Sequence, residues 1–530
     1  MASSRRRFLQ QAALSGAACL LPAGVAAVPS APHVVARTRS GRVAGVREQG
    51  IHVFRGLRYG ADTAQRRFLP ALPESNWHGV QEAFEFGPSA PQRGSEGPGN
   101  EDCLFLNVWT PALRDGGKRP ILVYIHGGGY NTGSGSDPLY DGTRLCLRGD
   151  VVVVTLNHRL NAFGYLHLGD IFGAEYAASG NVGQLDLIQA LQWIHEHAAE
   201  FGGDAGNVTL FGQSGGGAKI ATLMAMPAAA GLFHRAWTMS GQQVTAAGPR
   251  AADQRAHLYL DALGVSHGDI DALRKLPVDV LLQAQSIRDP SRVEDTALYF
   301  GPVMDGMHLP RHPFWPDAPS QSAGIPMVIG NTRDETRAFL GNDPDNFTLT
   351  WDTLPGKLRA QQYVDIDPTK VIDEYRRLYP GYSPSEVFFA ATTAGRSWRG
   401  AIEELEVRAA QANNTWAYQL DWHPTDEEGR RMRAFHTLDI PLVFDNIAQP
   451  GSRTGTSPQA QRVADAMSDA LLAFARHGDP RTGATQGWSP YSLDQRETMV
   501  FAGAPRLEHD PRGGERRIYQ RVPFVQRGTM

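Results

Sequence analysis

A serine flanked by glycines lies where a strand-like segment changes into a helix-like one. The motif Gly212-Gln213-Ser214-Gly215-Gly216 follows the β-branched and aromatic residues 208–211 and precedes helix-forming residues 218–226. Glycines in these places allow a turn so tight that the serine hydroxyl projects from the end of the strand. The pattern predicts a nucleophile elbow with Ser214 as the nucleophile. A second Gly-x-Ser-x-Gly match, around Ser266, follows a helix-like stretch and lacks the strand that an elbow needs.

A serine hydroxyl becomes a useful nucleophile when an imidazole accepts its proton and a carboxylate orients that imidazole. Glu335 and His436 follow Ser214 in the order serine, acid, histidine, and each lies in a predicted loop after a predicted strand. We therefore predict Ser214, Glu335 and His436 as a catalytic triad. Asp334 stands beside Glu335, and the sequence leaves it open as the acid.

A run of glycines, His126-Gly127-Gly128-Gly129-Tyr130, follows the apolar residues 121–125. Backbone N–H groups that no side chain covers can converge on the negative oxygen of a tetrahedral intermediate. Gly128 and Gly129 are predicted to supply two such donors, and Gly215, directly after the nucleophile, a third. Together the two glycine motifs predict acyl transfer with an oxyanion hole.

The rest of the chain predicts the scaffold, a mostly parallel sheet with helices on both faces. Ligands of such sheets bind beyond the carboxyl ends of the strands, where both glycine loops would lie. Residues 34–60 are predicted to form small antiparallel strands at one edge. The predicted central strands are 104–110, 121–125, 151–156, 326–330 and 415–420, and the predicted helical regions include 188–199, 251–284, 352–400 and 463–476.

The composition of the chain gives no support for nucleic-acid binding or for a structural metal site. The 530-residue chain has a net charge of −4 and a pI near 6.5, so it has no broad basic surface and nucleic-acid binding has no support. Of three cysteines, Cys19 lies in the N-terminal segment, and Cys103 and Cys146 can pair only if the fold brings them together. There is no CxxC and no His/Cys cluster at ligand spacing. We expect no metal and no cofactor.

The first residues resemble an export signal. Arg6-Arg7 precede Phe8-Leu9 and the apolar, acid-free residues 12–28, which end in small residues. Paired arginines before Phe-Leu resemble the twin-arginine signal, which exports folded proteins. We expect residues 1–27 to be removed and the mature chain to be periplasmic or secreted, without stable membrane insertion. An uncleaved anchor is the alternative, but the stretch is shorter than the roughly 20 residues that a spanning helix needs.

These motifs, with others along the chain, resemble the type-B carboxylesterase family, the cholinesterase-like branch of the α/β hydrolases, and within it a bacterial para-nitrobenzyl-esterase-like branch. The likeness runs from about residue 34 to residue 523. The matching segments are Glu101-Asp102-Cys103-Leu104-Phe105-Leu106-Asn107-Val108, 126–130, Asn157-His158-Arg159-Leu160, 180–186, 201–204, 211–217, 302–306, Asp334-Glu335 and His436.

The resemblance implies an α/β-hydrolase fold in a single domain, residues 28–530, with insertions around 251–300 and 350–400. It also implies hydrolysis of small-molecule carboxylic esters to acid and alcohol through an acyl-enzyme, with the same triad and no cofactor. The resemblance further implies that the hydroxyl of Ser240 lies near Glu335. It also implies two structural ion pairs, Arg67–Glu101 and Arg159–Asp186.

Departures from the family pattern narrow the expected substrate. Gln213 stands where the family usually has Glu, which removes one negative charge from the expected pocket floor. Residues 94–100 contain no aromatic residue, whereas cholinesterases carry a tryptophan there that binds quaternary ammonium by cation–π contact. Choline esters are therefore not expected as substrates.

Three positions are expected to set the width of the pocket for the acyl group of the ester. Thr296, Leu298 and Ala247 are expected near the places where cholinesterases have bulky aromatics. The resemblance thus predicts an acyl pocket wide enough for branched, aromatic or medium-chain acids. The family's usual disulfide would join Cys103 to the position of Ala90, so it cannot form here.

Other functions remain open on the same residues. A carbamate or amide hydrolase would use the same triad. A lipase would add a large apolar lid, which we do not find between residues 251 and 400. A catalytically silent cholinesterase-like binding protein would have lost triad members, whereas this chain keeps all three.

Overall fold

The structure is a computed structural model and describes residues 33–94, 99–290 and 296–526. The predicted export signal, residues 1–27, lies outside the described residues. In the part of the chain that is described, no helix is long and apolar enough to cross a bilayer.

A 13-stranded mixed sheet forms the centre of the described chain. Its order is β1-β2-β3-β5-β7-β6-β8-β9-β10-β11-β12-β13, and β4 pairs with β2. Neighbours from β7 to β12 run parallel, as the sequence predicted. The other neighbours in this order are antiparallel, and β4 runs parallel to β2. The strands are β1 Val34–Arg37, β2 Arg42–Glu48, β3 Ile51–Arg58, β4 Val80–Glu82, β5 Phe105–Thr110, β6 Arg119–Ile125, β7 Val152–Leu156, β8 Gly203–Gln213, β9 Arg235–Met239, β10 Met327–Thr332, β11 Thr415–Leu420, β12 Glu497–Phe501 and β13 Arg506–His509.

The central strands are apolar on both faces because helices cover both. All five residues of β7 are buried, which is typical of a parallel strand inside a sheet. Two core clusters lie on opposite faces, one including Ile220 and Leu405 and the other including Val463 and Phe444.

The helices carry labels in chain order, and a π-helical turn, Ala394–Trp398, joins α12 to α13. Their bounds are α1 Thr143–Gly149, α2 Asn161–Tyr165, α3 Gly169–Phe172, α4 Val182–His197, α5 Gly215–Leu223, α6 Pro249–Leu263, α7 Ile270–Lys275, α8 Val278–Ala284, α9 Arg337–Leu340, α10 Leu354–Gln361, α11 Pro368–Leu378, α12 Pro384–Thr393, α13 Arg399–Gln411, α14 Glu427–Met432, α15 Asp439–Val443, α16 Pro458–His477 and α17 Gly513–Tyr519.

Both ion pairs that the resemblance implied are present. The guanidinium of Arg159 donates to both oxygens of Asp186, at 2.8 and 2.6 Å, and both side chains are buried. This pair joins the segment after β7 to α4. Arg67 donates to Glu101 at 2.7 Å. Cys103 and Cys146 are free and buried.

Candidate functional site

Ser214 lies on the sharp turn between β8 and α5, with a φ of 56°. A non-glycine residue seldom adopts a positive φ, and in serine hydrolases the nucleophile elbow is one place where it does. The glycines around it are sterically required. A Cβ on Gly216 would lie 1.9 Å from the carbonyl oxygen of Ile125, and one on Gly212 would lie 2.8 Å from the same atom. The predicted elbow is therefore present.

Parallel strands bring the predicted acid and the predicted histidine together. Glu335 follows β10 and His436 follows β11, and these strands pair in parallel, so their carboxyl ends meet at one edge. Oε2 of Glu335 accepts a short hydrogen bond from Nδ1 of His436. Glu335 is fully buried and His436 is 6% exposed.

The charge of Glu335 is stabilised by its neighbours. Burial alone would raise the pKa of this carboxyl group, but the charge and hydrogen bond of His436, together with Ser240 and the backbone of Thr332, lower it below its usual value. The N–H of Thr332 donates to Oε1 at 2.9 Å. Ser240 thus lies beside Glu335, as the resemblance implied.

Asp334 faces other partners. Its Oδ1 accepts from Nε of Arg337 at 3.3 Å and lies 4.0 Å from Nη1 of Arg433. The two adjacent carboxylates point to different surroundings, and the structure brings Glu335 to the histidine.

The glycine loop after β6 packs directly against the elbow. Gly128 and Gly129 have φ values of 82° and 61°, which favour glycine. A Cβ on Gly215 would lie 2.1 Å from the carbonyl oxygen of Gly129. The three predicted oxyanion donors therefore belong to two segments in close contact.

A cavity of about 460 Å³ opens onto these residues. Ser214, His436, Gly129 and Gly215 line it, as do the expected acyl-pocket residues Thr296 and Leu298, whereas Ala247 does not. The remaining lining residues are Tyr130, Asn131, Ala218, Ser240, Gly241, Gln242, Gln243, Ala297, Tyr299, Thr336, Phe339, Arg396, Ser397 and Gln526.

The expectation for Ala247 differs from the structure. Ala247 packs with Ala252 and Val303 in a small cluster of its own. Counting from Ser240 gives a position in the sequence but not the path of the backbone, which here forms a bridge between Ala247 and Val303.

Gln213 makes a contact that sequence reasoning missed. Its side chain is 1% exposed and does not line the cavity; its amide Nε2 lies 3.0 Å from Nε2 of His436. In the tautomer whose Nδ1–H is donated to Glu335, Nε2 is the accepting nitrogen of the ring. Gln213 therefore bonds the atom of His436 that a base would use, and does not form a pocket floor.

Other cavity residues come from distant segments. Phe339 of α9 lies over His436 with ring centroids 4.7 Å apart, and Arg396 comes from the π-helical turn. Nothing in the local sequence of either segment carries a motif that could have identified them.

Comparisons with known proteins cover nearly the whole chain. The model of the "Carboxylesterase family" matches residues 31–515. The para-nitrobenzyl esterase of Bacillus subtilis is 35% identical over 501 residues, 91% of this chain and 98% of the relative. The phenmedipham hydrolase of Pseudarthrobacter oxydans is 33% identical, covering 88% of this chain and 94% of that one.

A solved structure agrees with the sequence comparisons. A carboxylesterase of Geobacillus stearothermophilus superimposes with a TM-score of 0.81 at 38% identity, over 92% of this chain and all of that one. The predicted α/β-hydrolase fold and the predicted family resemblance are confirmed.

Proposed function

The chain belongs to the carboxylesterase family and is a carboxylic ester hydrolase, and we propose that Ser214, Glu335 and His436 form its catalytic triad. The observation that carries the assignment is the hydrogen bond between Glu335 and His436. Their loops, about 100 residues apart in sequence, place the imidazole on the wall of the cavity that also contains Ser214.

The proposed reaction has two halves. The hydroxyl oxygen of Ser214 attacks the ester carbonyl carbon while Nε2 of His436 takes its proton, and the N–H groups of Gly128, Gly129 and Gly215 bind the resulting oxyanion. The C–O bond to the alcohol then breaks and His436 returns the proton to the leaving oxygen. Water, activated by the same nitrogen, hydrolyses the acyl-enzyme.

The hydrogen bond between Gln213 and His436 must break before Ser214 can transfer its proton. Its amide holds the ring in the tautomer that general-base catalysis needs, but it occupies the accepting nitrogen. Proton transfer from Ser214 to His436 therefore requires the Gln213 amide to turn away from Nε2.

The proposed substrates are small esters with branched, aromatic or medium-chain acids. Thr296 and Leu298 line the cavity without adding aromatic bulk, and the cavity volume of about 460 Å³ lies within the range of sites for small organic ligands. Hydrolysis of p-nitrophenyl esters from acetate to octanoate and benzoate tests this. A steep fall beyond the acetyl group contradicts it.

The triad assignment is tested by hydrolysis of p-nitrophenyl butyrate. Ser214→Ala should abolish turnover, while Ser266→Ala, the serine of the second Gly-x-Ser-x-Gly match, should leave it unchanged. A fluorophosphonate should label the wild type at Ser214, because labelling needs an activated nucleophile and little substrate recognition. Equal activity in wild type and Ser214→Ala contradicts the assignment.

Export and domain organisation complete the proposal. Residues 1–27 are proposed as a twin-arginine-type signal and 28–530 as one domain, with the regions around 251–300 and 350–400 as insertions. Replacing Arg6 and Arg7 with Lys in the full chain should move esterase activity from the periplasm or the medium to the cytoplasm. An unchanged distribution would argue against this signal.

A further inference from the structure

Lys219 is a buried cation close to the proposed nucleophile. It stands on α5, five residues after Ser214, and its side chain is fully buried. Burial lowers its pKa to about 7. In the part of the chain that is described, no carboxylate lies within ion-pair distance of it. A lysine buried in this way destabilises a fold, so packing does not explain its presence.

The amine of Lys219 contacts both ends of the glycine loop. Nζ donates to the backbone oxygen of His126 at 3.1 Å. It also lies 5.8 Å from the centre of the Tyr130 ring, within the distance of a cation–π contact. We call residues 126–130 the oxyanion loop, since Gly128 and Gly129 lie between these two contacts.

Two histidines share this buried region. The rings of His126 and His158 lie with centroids 4.8 Å apart. Burial, and then the charge of Lys219, hold the pKa of both well below the usual value. Both rings are therefore neutral near pH 7, and Lys219 is the member of this trio that can carry a positive charge there.

We propose that Lys219 is a positioning residue of the oxyanion loop. The amine of Lys219 holds the loop in place, and its positive charge stabilises the oxyanion that forms against Gly128 and Gly129. The proposal rests on the proposed catalytic role of that loop. A hydrogen bond from Nζ to His126 restrains the start of the loop, and the contact with Tyr130 restrains its end.

The positive charge of Lys219 favours the transition state over the bound ester. Negative charge develops on the substrate oxygen in the transition state and is absent from the bound ester. The amine of Lys219 is buried against the loop, and a low effective dielectric around it leaves its attraction for that negative charge largely unscreened. Gln213 adds no opposing negative charge at this end of β8, whereas a Glu in its place would.

Two variants separate the hydrogen bond from the charge. Lys219→Met removes both, and Lys219→Gln retains an N–H donor but no charge. Lys357→Met is the matched control, since Lys357 is a partly exposed lysine that pairs with Asp343 at 2.8 Å. Fluorophosphonate titration counts the active sites of each protein, so that kcat refers to folded enzyme.

For p-nitrophenyl butyrate at pH 7, Lys219→Met should lower kcat about 10- to 100-fold, with KM within about threefold, because the lost interaction forms mainly in the transition state. A trifluoromethyl ketone, which forms an oxyanion on the nucleophile, should bind more weakly by a similar factor. The corresponding methyl ketone should bind within about twofold of wild type. Lys219→Gln should recover part of kcat, and Lys357→Met should match the wild type.

The pH dependence separates charge from structure. The ratio of wild-type to Lys219→Met kcat should fall as pH rises from 6 to 9, because the amine loses its charge. Equal kcat in the wild type and both Lys219 variants overturns the inference, as does a loss of affinity that is the same for both ketones. A wild type that is inactive on every ester and unlabelled by fluorophosphonate instead refutes the proposed function.

Discussion

Replacing Lys219 with Met should change the pH dependence of stability. The folded-state pKa of about 7 lies below the ordinary value of 10.5, so between these pH values the unfolded state binds more protons than the folded state. The free energy of unfolding of the wild type must therefore rise with pH in this window. The destabilisation is complete below pH 7 and disappears as pH approaches 10.5.

The magnitude follows from the two pKa values. Linkage gives the wild type a gain in unfolding free energy of about 3 kcal/mol between pH 6 and pH 9 from this one group. Lys219→Met lacks the group, so the difference between the two proteins should change by that amount. The exposed pair of Lys357 with Asp343 should contribute less than about 1 kcal/mol at any pH, which makes Lys357→Met the control.

Two measurements test this reasoning. Urea unfolding of the mature chain at pH 6, 7, 8 and 9 gives the difference between wild type and variant. Selective ¹³C labelling of lysine adds a direct titration, because the chain contains five lysines, and the signal missing from Lys219→Met identifies the buried amine. The reasoning would be refuted if the difference in unfolding free energy between wild type and variant changed by less than about 0.5 kcal/mol across this range, or if the Lys219 signal titrated above about pH 9.5.

Three further predictions concern the site. Glu335→Gln should lower kcat by up to about 10⁴-fold, as loss of the orienting carboxylate does in serine proteases, while Asp334→Asn should stay within about threefold; the opposite ranking would reassign the acid. Gln213→Glu should shift the acid limb of the kcat/KM profile to higher pH, because a carboxylate beside Nε2 stabilises the protonated imidazole, and an unmoved limb would contradict the observed contact. Gly216→Ala should lower kcat at least about 100-fold, because its Cβ would overlap the oxygen of Ile125. Gly268, in the second Gly-x-Ser-x-Gly match, has open space around it, so Gly268→Ala should leave kcat unchanged in the same assay.

Local sequence was sufficient for the parts of the site that depend on local backbone geometry. The elbow at Ser214 and the glycine loop at 126–130 both need glycines where a Cβ would overlap a neighbouring backbone. Such a requirement leaves a pattern in the sequence. The alternation of apolar strands with helices likewise predicted the parallel centre of the sheet, because each strand must be buried on both faces.

The sequence also predicted the order Ser214, Glu335 and His436 for the proposed triad, but it left Asp334 open as the acid. Asp334 and Glu335 are adjacent carboxylates, and only the turn after β10 decides which one faces His436. Strands β4, β9, β12 and β13 were not predicted.

The sequence by itself predicted ester hydrolysis and the residues proposed to carry it: a serine on an elbow, an acid and a histidine in order, and glycines free to bind an oxyanion. Only the tertiary structure decided which groups surround that chemistry. The contact of Gln213 with His436, the placement of Lys219 behind the oxyanion loop and the removal of Ala247 from the cavity all depend on how distant segments pack. The physical reason is that backbone constraints act over a few residues, whereas side-chain contacts are set by the whole packed core.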